Sequence, residues 1–339
     1  MSNKPLISIV GLTATGKTSL ALQLGKQLLD RYHLPGIDII SADSRQVYQG
    51  LEILTGADLP EGFMRSSAVQ RKFGYDYFSQ GKINIHGVAI IEPGDSWSLA
   101  EFQAFALELI ESAWTGGRLP ILVGGTGLYH LGLFNPELAA HPGENNQVRT
   151  QAEQLSLSQV QDWLKRLDLN VWRSLSKSDQ GNKRRLVRKI ELAVAPQPAV
   201  DPGVKIHPPT QHPACRQAGL VIGLSDSLDQ LKESIIKRVN QRFEQGAINE
   251  VMALKARYGQ RRLPAWTAIG IREMSAYLNH ELSAEDCTRL WSLREFQYAK
   301  RQVTWWKKRA SVNWLLAVHP QLLDQATKLI DAQLTLGHN

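Results

Sequence analysis

Leu6-Ile7-Ser8-Ile9-Val10 runs directly into Gly11-Leu12-Thr13-Ala14-Thr15-Gly16-Lys17-Thr18, an apolar, β-branched stretch followed by the spacing GxxxxGKT. The first part suits a buried strand. The second has the form of a phosphate loop, in which glycines let the backbone curl so that its N–H groups face a chain of phosphates while Lys17 reaches the outer one. Thr18 then stands as a ligand to Mg²⁺. Ser19-Leu20-Ala21-Leu22-Gln23-Leu24 continues as a helix, whose positive N-terminal end attracts an anion held in the loop. A bland glycine-rich turn would share the pattern, but strand, loop and helix here fall in the order a phosphate site requires.

Working outward, Ile37-Asp38-Ile39-Ile40-Ser41 reads as a second strand and Pro120-Ile121-Leu122-Val123 as a third, the latter entering Gly124-Gly125-Thr126-Gly127. Between them Ser98 and Glu101 have the spacing of a capping box that opens a helix running to about Trp114. Strands alternating with helices predict an α/β fold, a parallel sheet of the phosphate-loop type flanked by helices. Ligands collect where such strands end, so residues 11–18, Asp43 and Thr126 are expected to line one crevice. From about Phe134 the pattern turns to polar helices without strands, over 155–167 and 182–194, and ends in residues 195–213 with six prolines in nineteen positions. This predicts a helical insertion and connector over 134–213, with 1–133 and 214–339 forming the catalytic core. Leu220-Val221-Ile222-Gly223-Leu224 reads as a return to the core sheet, followed by long helices over about 228–258 and 284–308.

The 339 residues, 43% hydrophobic and 21% charged, suffice for a large domain with a smaller one beside it. No apolar run approaches the roughly 20 residues of a membrane helix, and the start leads straight into a strand, so a cytoplasmic protein with no membrane partner is expected; a monomer is expected as a separate matter, on which these features do not bear. Cys215 and Cys287 are the only cysteines, too few for a disulfide framework or a thiolate metal site. The net charge of +7 is modest, and its distribution says more. Lys183, Arg184, Arg185, Arg188 and Lys189 put five cations in seven residues, opposite an apolar face of Leu186, Ile190 and Val194. A solvated helix face is the plainer reading of that run. At residues 298–309 and just before them, Phe296, Ala299, Val303 and Trp306 share one stripe and Arg301, Thr304 and Lys308 another. Cations beside an aromatic suit phosphate contact and base stacking, although Trp305 fits a core equally well.

Together these stretches resemble one family, the tRNA dimethylallyltransferases, also called tRNA isopentenyltransferases. The resemblance rests on GLTATGKT at Gly11, DIISADSRQVYQGLEI from Asp38, VGGTGLY from Val123, RRLVRKIE from Arg184, AIGIRE from Ala268 and YAKRQVTWW from Tyr298. It implies transfer of a dimethylallyl group from dimethylallyl diphosphate to N6 of adenine 37 in tRNA, with Mg²⁺ near Thr18. Position by position, it implies that residues 11–18 cradle the diphosphate and that Asp43 accepts the proton of the adenine amine. Asp43, Ser44, Arg45 and Gln46 resemble a tRNA contact, and Thr126 resembles a threonine near the reacting groups. Arg149, the Arg184, Arg185 and Arg188 cluster, residues 267–272, and Lys300, Arg301, Gln302, Thr304 and Lys307 resemble further tRNA-contacting segments, with Arg272 also assigned to phosphate. The insertion is then a tRNA-contacting lid. The chain departs from the family at Leu54-Thr55-Gly56-Ala57-Asp58, where Gly-Thr-Ala-Lys-Pro is usual. It departs also at Ala89, Ile271 and Phe296, where aspartate, tyrosine and arginine are usual, while His86 matches.

The chemistry suits these residue types. As an allylic diphosphate ionises, negative charge grows on the leaving group, where Lys17, the loop N–H groups and Mg²⁺ are aimed. The adenine amine is a poor nucleophile, and a carboxylate hydrogen-bonded to it helps as nitrogen bonds to carbon. From the residues alone, Asp43 could equally cap a helix or hold Mg²⁺ through water, and Thr126 could cap the helix after its glycine turn. A nucleotide or metabolite kinase, an isopentenyltransferase acting on free adenine nucleotides, and a non-catalytic nucleic-acid-binding protein share parts of the pattern. The basic stretches weigh against the first.

Overall fold

A computed structural model of the chain describes residues 4–57, 59–67, 74–135, 138, 143–195, 219–259, 261, 263–307 and 312–335. The prolines of the connector, Asp58, Cys215, Lys308 and Arg309 lie outside them. By internal packing the chain divides into two units, residues 1–136 with 210–339, and residues 137–209.

The larger unit is built on an eight-stranded sheet: β1 (Ile7–Gly11), β2 (Ile37–Ser41), β3 (Met64–Ser66), β4 (Tyr77–Gln80), β5 (Ile83–His86), β6 (Leu119–Val123), β7 (Leu220–Ser225) and β8 (Asn313–Leu316). Their spatial order is β3-β4-β5-β2-β6-β1-β7-β8. From β5 to β8 every pairing is parallel, with Ile9 opposite Val123 on one side and Ile222 on the other. The expected α/β fold is therefore present, with β1, β2 and β6 fully buried as their unbroken apolar runs require. One edge differs from the all-parallel expectation, because β3 and β4 join by antiparallel pairing. These are hairpin strands of three and four residues, too short and too exposed to show a period.

The helices of this unit are α1 (Lys17–Arg31), α2 (Glu52–Thr55), α3 (Leu99–Thr115) and α4 (Gly127–Phe134), then α10 (Leu228–Glu244), α11 (Ala247–Tyr258), α12 (Ile271–Leu278), α13 (Ala284–Trp306) and α14 (Leu322–Thr335). The capping box at Ser98 and Glu101 forms in both directions. The stretch 228–258 is two helices and not one, because Gly246 takes a left-handed φ of 99° that only glycine adopts readily. Strand alternation sends Ile7, Ile9, Ile37 and Ile39 to a core with Leu20, Leu24 and Leu28 of α1, and sends Ile40 and Leu122 to a second core with Phe102, Phe105 and Leu109 of α3. Among the described residues no helix is long and apolar enough to cross a membrane.

The smaller unit holds α5 (Asn146–Glu153), α6 (Leu157–Leu167), α7 (Leu169–Ser174), α8 (Lys177–Gln180) and α9 (Lys183–Val194) around its own core of Val148, Ala152, Val160, Leu164, Leu186 and Ile190. Val194, read as part of that apolar face, is exposed at the helix end.

Candidate active site

Neighbouring strands leave β1 on both sides, so the loop at its carboxyl end opens at the point where strand order switches. Gly11 ends the strand at φ 132°, and a Cβ there would overlap the Leu224 carbonyl of β7. The loop then turns through Ala14 at φ 62° and Gly16 at φ 75°, the residue that caps α1. The Leu12 carbonyl accepts from Thr15 Oγ1 at 2.8 Å and from Lys17 Nζ at 2.6 Å, so the loop is closed on itself. Thr13, Ala14, Gly16, Lys17 and Thr18 line a cavity of about 700 Å³ that lies wholly within the larger unit.

Asp43 lines the same cavity, two residues beyond β2. Its Oδ1 accepts from the Arg45 N–H at 2.8 Å, an Asx-type turn. The helix-cap alternative fails here: the next helix, α2, starts at Glu52 and is capped at Leu51. Thr126 occupies the cap position of α4 without a side-chain capping bond; its hydroxyl instead accepts from the Ser44 N–H at 3.4 Å. Thr126 and the 43–46 turn are thus joined. Ser44, Arg45 and Gln46 also line the cavity, with Arg45 Nη1 donating to the Pro264 carbonyl at 3.3 Å. The Gln46 amide is engaged at both ends, accepting from Ser41 Oγ at 2.8 Å and donating to the Gly56 carbonyl at 2.7 Å.

The opposite wall comes from α10 and α13. Arg238, which sequence reasoning passed over, lines the cavity and places its guanidinium against Thr13 Oγ1, with Glu295 Oε2 at 3.5 Å. Arg242, one turn on and only 3% exposed, pairs with the other Glu295 oxygen and points at the Leu54 carbonyl. A signal existed: Leu231, Ile235, Val239 and Arg242 form one buried face of α10, and a cation in an apolar stripe requires a buried carboxylate partner. Tyr298 lines the cavity, and its phenol is raised above the usual range, by burial first and then by the charge of Asp43.

Other predicted residues fall elsewhere. Arg272 is exposed on α12 and is absent from the cavity wall, which near it is formed by Thr267, Ala268 and Ile269. With Ile271 buried at the start of α12, the next 100° step turns Arg272 to solvent. Lys300, Arg301, Thr304 and Lys307 are exposed along α13, and Arg301 also reaches the cavity rim. Gln302, between them in sequence, is 5% exposed and faces inward. In the smaller unit Arg184 and Arg185 are exposed, the latter paired with Asp179. Arg149 and Arg188 both bond Glu191, itself 2% exposed, and Arg149 also pairs with Glu144. Burial by itself raises the Glu191 carboxyl, but those two guanidinium groups outweigh it and hold it below the ordinary range. Of the departures, Ile271 is core, Phe296 lies beneath the Lys300 ammonium, and Ala89 is buried at φ 49°. His86 bonds buried Asp38 at 2.9 Å, away from the cavity wall.

The family model for IPP transferase matches residues 46–309, beginning just after the phosphate loop and Asp43. The chain is 32% identical to the tRNA dimethylallyltransferase of Moorella thermoacetica, over 97% of this chain and 94% of that one. It is 33% identical to the enzyme of that name from Gloeothece citriformis, over 98% and 99%. Among solved structures, the full-length tRNA isopentenylpyrophosphate transferase from Bacillus halodurans superposes with a TM-score of 0.63 at 27% identity, covering 99% of this chain and 100% of that one. On a match that takes in most of its length, and on relatives that share its whole extent, this chain belongs to the IPP transferase family.

Proposed function

We propose that this chain is a tRNA dimethylallyltransferase, moving the dimethylallyl group of dimethylallyl diphosphate to N6 of adenine 37 in tRNA and releasing diphosphate. The observation that carries the reading is a single cavity in which Lys17, Thr18 and Asp43 meet apolar side chains such as Leu22, Leu54 and Ile269. Loop N–H groups and cations suit the diphosphate end, and the apolar wall suits the five-carbon end. In the reaction the allylic C–O bond breaks, its electron pair leaves with the diphosphate, and the N6 lone pair forms the new C–N bond. Lys17 and Arg238 stabilise the growing negative charge, and Asp43 accepts the N6 proton. The Ser44 to Thr126 bond holds the turn that aims the Asp43 carboxylate. Adenine stacked in an anticodon loop is out of reach of such a cavity, so the base is extruded, with the exposed cations of α9 and α13 on the tRNA backbone.

Mg²⁺ fits these residues. It is usually held by one or two protein oxygens plus substrate phosphates, and Thr18 and Asp43 supply hard oxygen donors in the cavity. Among the described residues no cluster of three or more His, Cys, Asp or Glu could hold a metal without such a substrate. When bound, it would neutralise charge on the diphosphate oxygens.

The test is mass spectrometry of nucleosides from tRNA incubated with the protein and dimethylallyl diphosphate. Isopentenyladenosine at position 37 is expected; its absence, with phosphoryl transfer from ATP in its place, would make the protein a kinase.

A further inference from the structure

Gln302 lies in the sequence between exposed residues suited to tRNA, and the resemblance groups it with them. Its surroundings say otherwise. The side-chain oxygen accepts from the Thr13 N–H at 2.8 Å, and the side-chain nitrogen donates to the Gly125 carbonyl at 3.0 Å. With its amide bonded at both ends and 5% of its surface exposed, it has little left to offer a macromolecule. The fit is specific on the other side as well. A Cβ at Gly125 would overlap the Gln302 amide nitrogen, so a bare backbone is what admits it. Seven residues earlier on the same face of α13, Glu295 Oε2 stands 3.4 Å from Thr13 Oγ1. Thr13 is therefore held by α13 through backbone and side chain alike.

We propose that Gln302 is a positioning residue of the phosphate loop, fastening its Thr13 end to the Gly125 turn and so presetting the anion cradle. This rests on the reading of the cavity as a diphosphate site. The loop needs such a fastening because Gly11, Ala14 and Gly16 all take positive φ, and for Ala14 that conformation is intrinsically unfavourable. Left to itself the segment would sample other shapes, and an anion would have to order it on binding. The Thr13 N–H is spent on Gln302, so the cradle consists of the donors after it.

Gln302→Met removes both bonds at nearly constant volume, and Gly125→Ala displaces the amide while leaving Gln302 in place. Affinity for inorganic diphosphate with Mg²⁺ is measured by calorimetry, affinity for an anticodon stem-loop by filter binding, and folding by thermal melts. Both variants are expected to bind diphosphate about tenfold more weakly, the equivalent of one hydrogen-bonding pair, and to bind the stem-loop within about twofold of wild type. Lys300→Ala should show the reverse pattern. Loss of stem-loop affinity with diphosphate binding intact, no change in either, or equal loss of both together with stability would overturn the proposal. If Gln302→Met does not fold, Gly125→Ala decides alone. A wild type that binds no diphosphate overturns the reading of the cavity itself, and this proposal with it.

Discussion

Replacing Asp43 with Asn separates the roles open to this carboxylate, because the geometry allows the fold and the chemistry to be perturbed unequally. Among the described residues the Asp43 carboxylate accepts a hydrogen bond from the Arg45 N–H at 2.8 Å, and an Asn oxygen can accept it in the same place. Exchanging a charged for a neutral acceptor in one turn costs about 1 kcal/mol or less. Losing a general base costs about 10²- to 10⁴-fold in rate, or ~3–5 kcal/mol of barrier. The rate effect should therefore exceed the stability effect several-fold. Single-turnover transfer from labelled dimethylallyl diphosphate to saturating tRNA gives the first quantity, a thermal melt the second, and stem-loop binding checks that substrate is still held. A variant whose transfer rate stays within about fivefold of wild type would refute Asp43 as base. A rate restored by raised Mg²⁺ would assign the carboxylate to the metal instead.

Lys17→Ala should lower kcat about 10²-fold or more while the melting temperature holds, since its ammonium lines the cavity and its bond to the Leu12 carbonyl stays within the loop; unaltered turnover would remove the phosphate-loop assignment. Arg184→Ala should weaken stem-loop binding and reduce the salt-dependence slope by about one unit or less, with no change in stability. Arg188→Ala should lower the melting temperature as well, because it leaves buried Glu191 with one guanidinium fewer; equal melts for the two variants would contradict that difference. Asp38 is buried, which alone raises its carboxyl, but His86 and Arg118 outweigh burial and hold it well below its ordinary 3.8. With the folded value depressed, its contribution is complete above about pH 4 and is lost as pH falls further. Asp38→Asn should flatten that acid limb in urea titrations, and an unchanged acid limb would mean the cluster carries no such linkage.

The legible part of this molecule is the part set by near neighbours. Strand, loop and helix from Ile7 to Arg31 form as read because the apolar run, the glycines and the helix formers act within a few residues of one another. The crevice joining that loop to Asp43 followed from the topology of parallel sheets, without side-chain detail. What stayed hidden depends on partners far along the chain. Gln302 meets Thr13 across 289 positions, and Arg238 meets it across 225; no window on the sequence contains both ends. Within one block of nine residues, YAKRQVTWW, an α-helical step of 100° sends Lys300 and Arg301 outward and Gln302 inward, so membership of a motif does not assign a role.

The same distinction explains how the chain accommodates its departure at residues 54–57. Leu54 is buried among core residues that include Trp291, and Gly56, at φ 62°, leaves room for the Arg242 guanidinium, which a Cβ there would overlap. Glu250 from α11 accepts from the Ile53 and Leu54 N–H groups at 2.8 and 2.7 Å, holding the short helix α2 by its exposed donors. Burial pushes that carboxyl up to about 7 even though both N–H groups favour its charged form. The lysine usual in this stretch of the family is thus missing from a segment that is otherwise tightly fixed, while Arg238 lines the cavity from α10 and Arg242 lies buried behind Gly56. Lys17, Lys26, Arg45, Arg238 and Arg301 line the cavity from other elements of the fold, so the local sequence change does not empty its wall of cations.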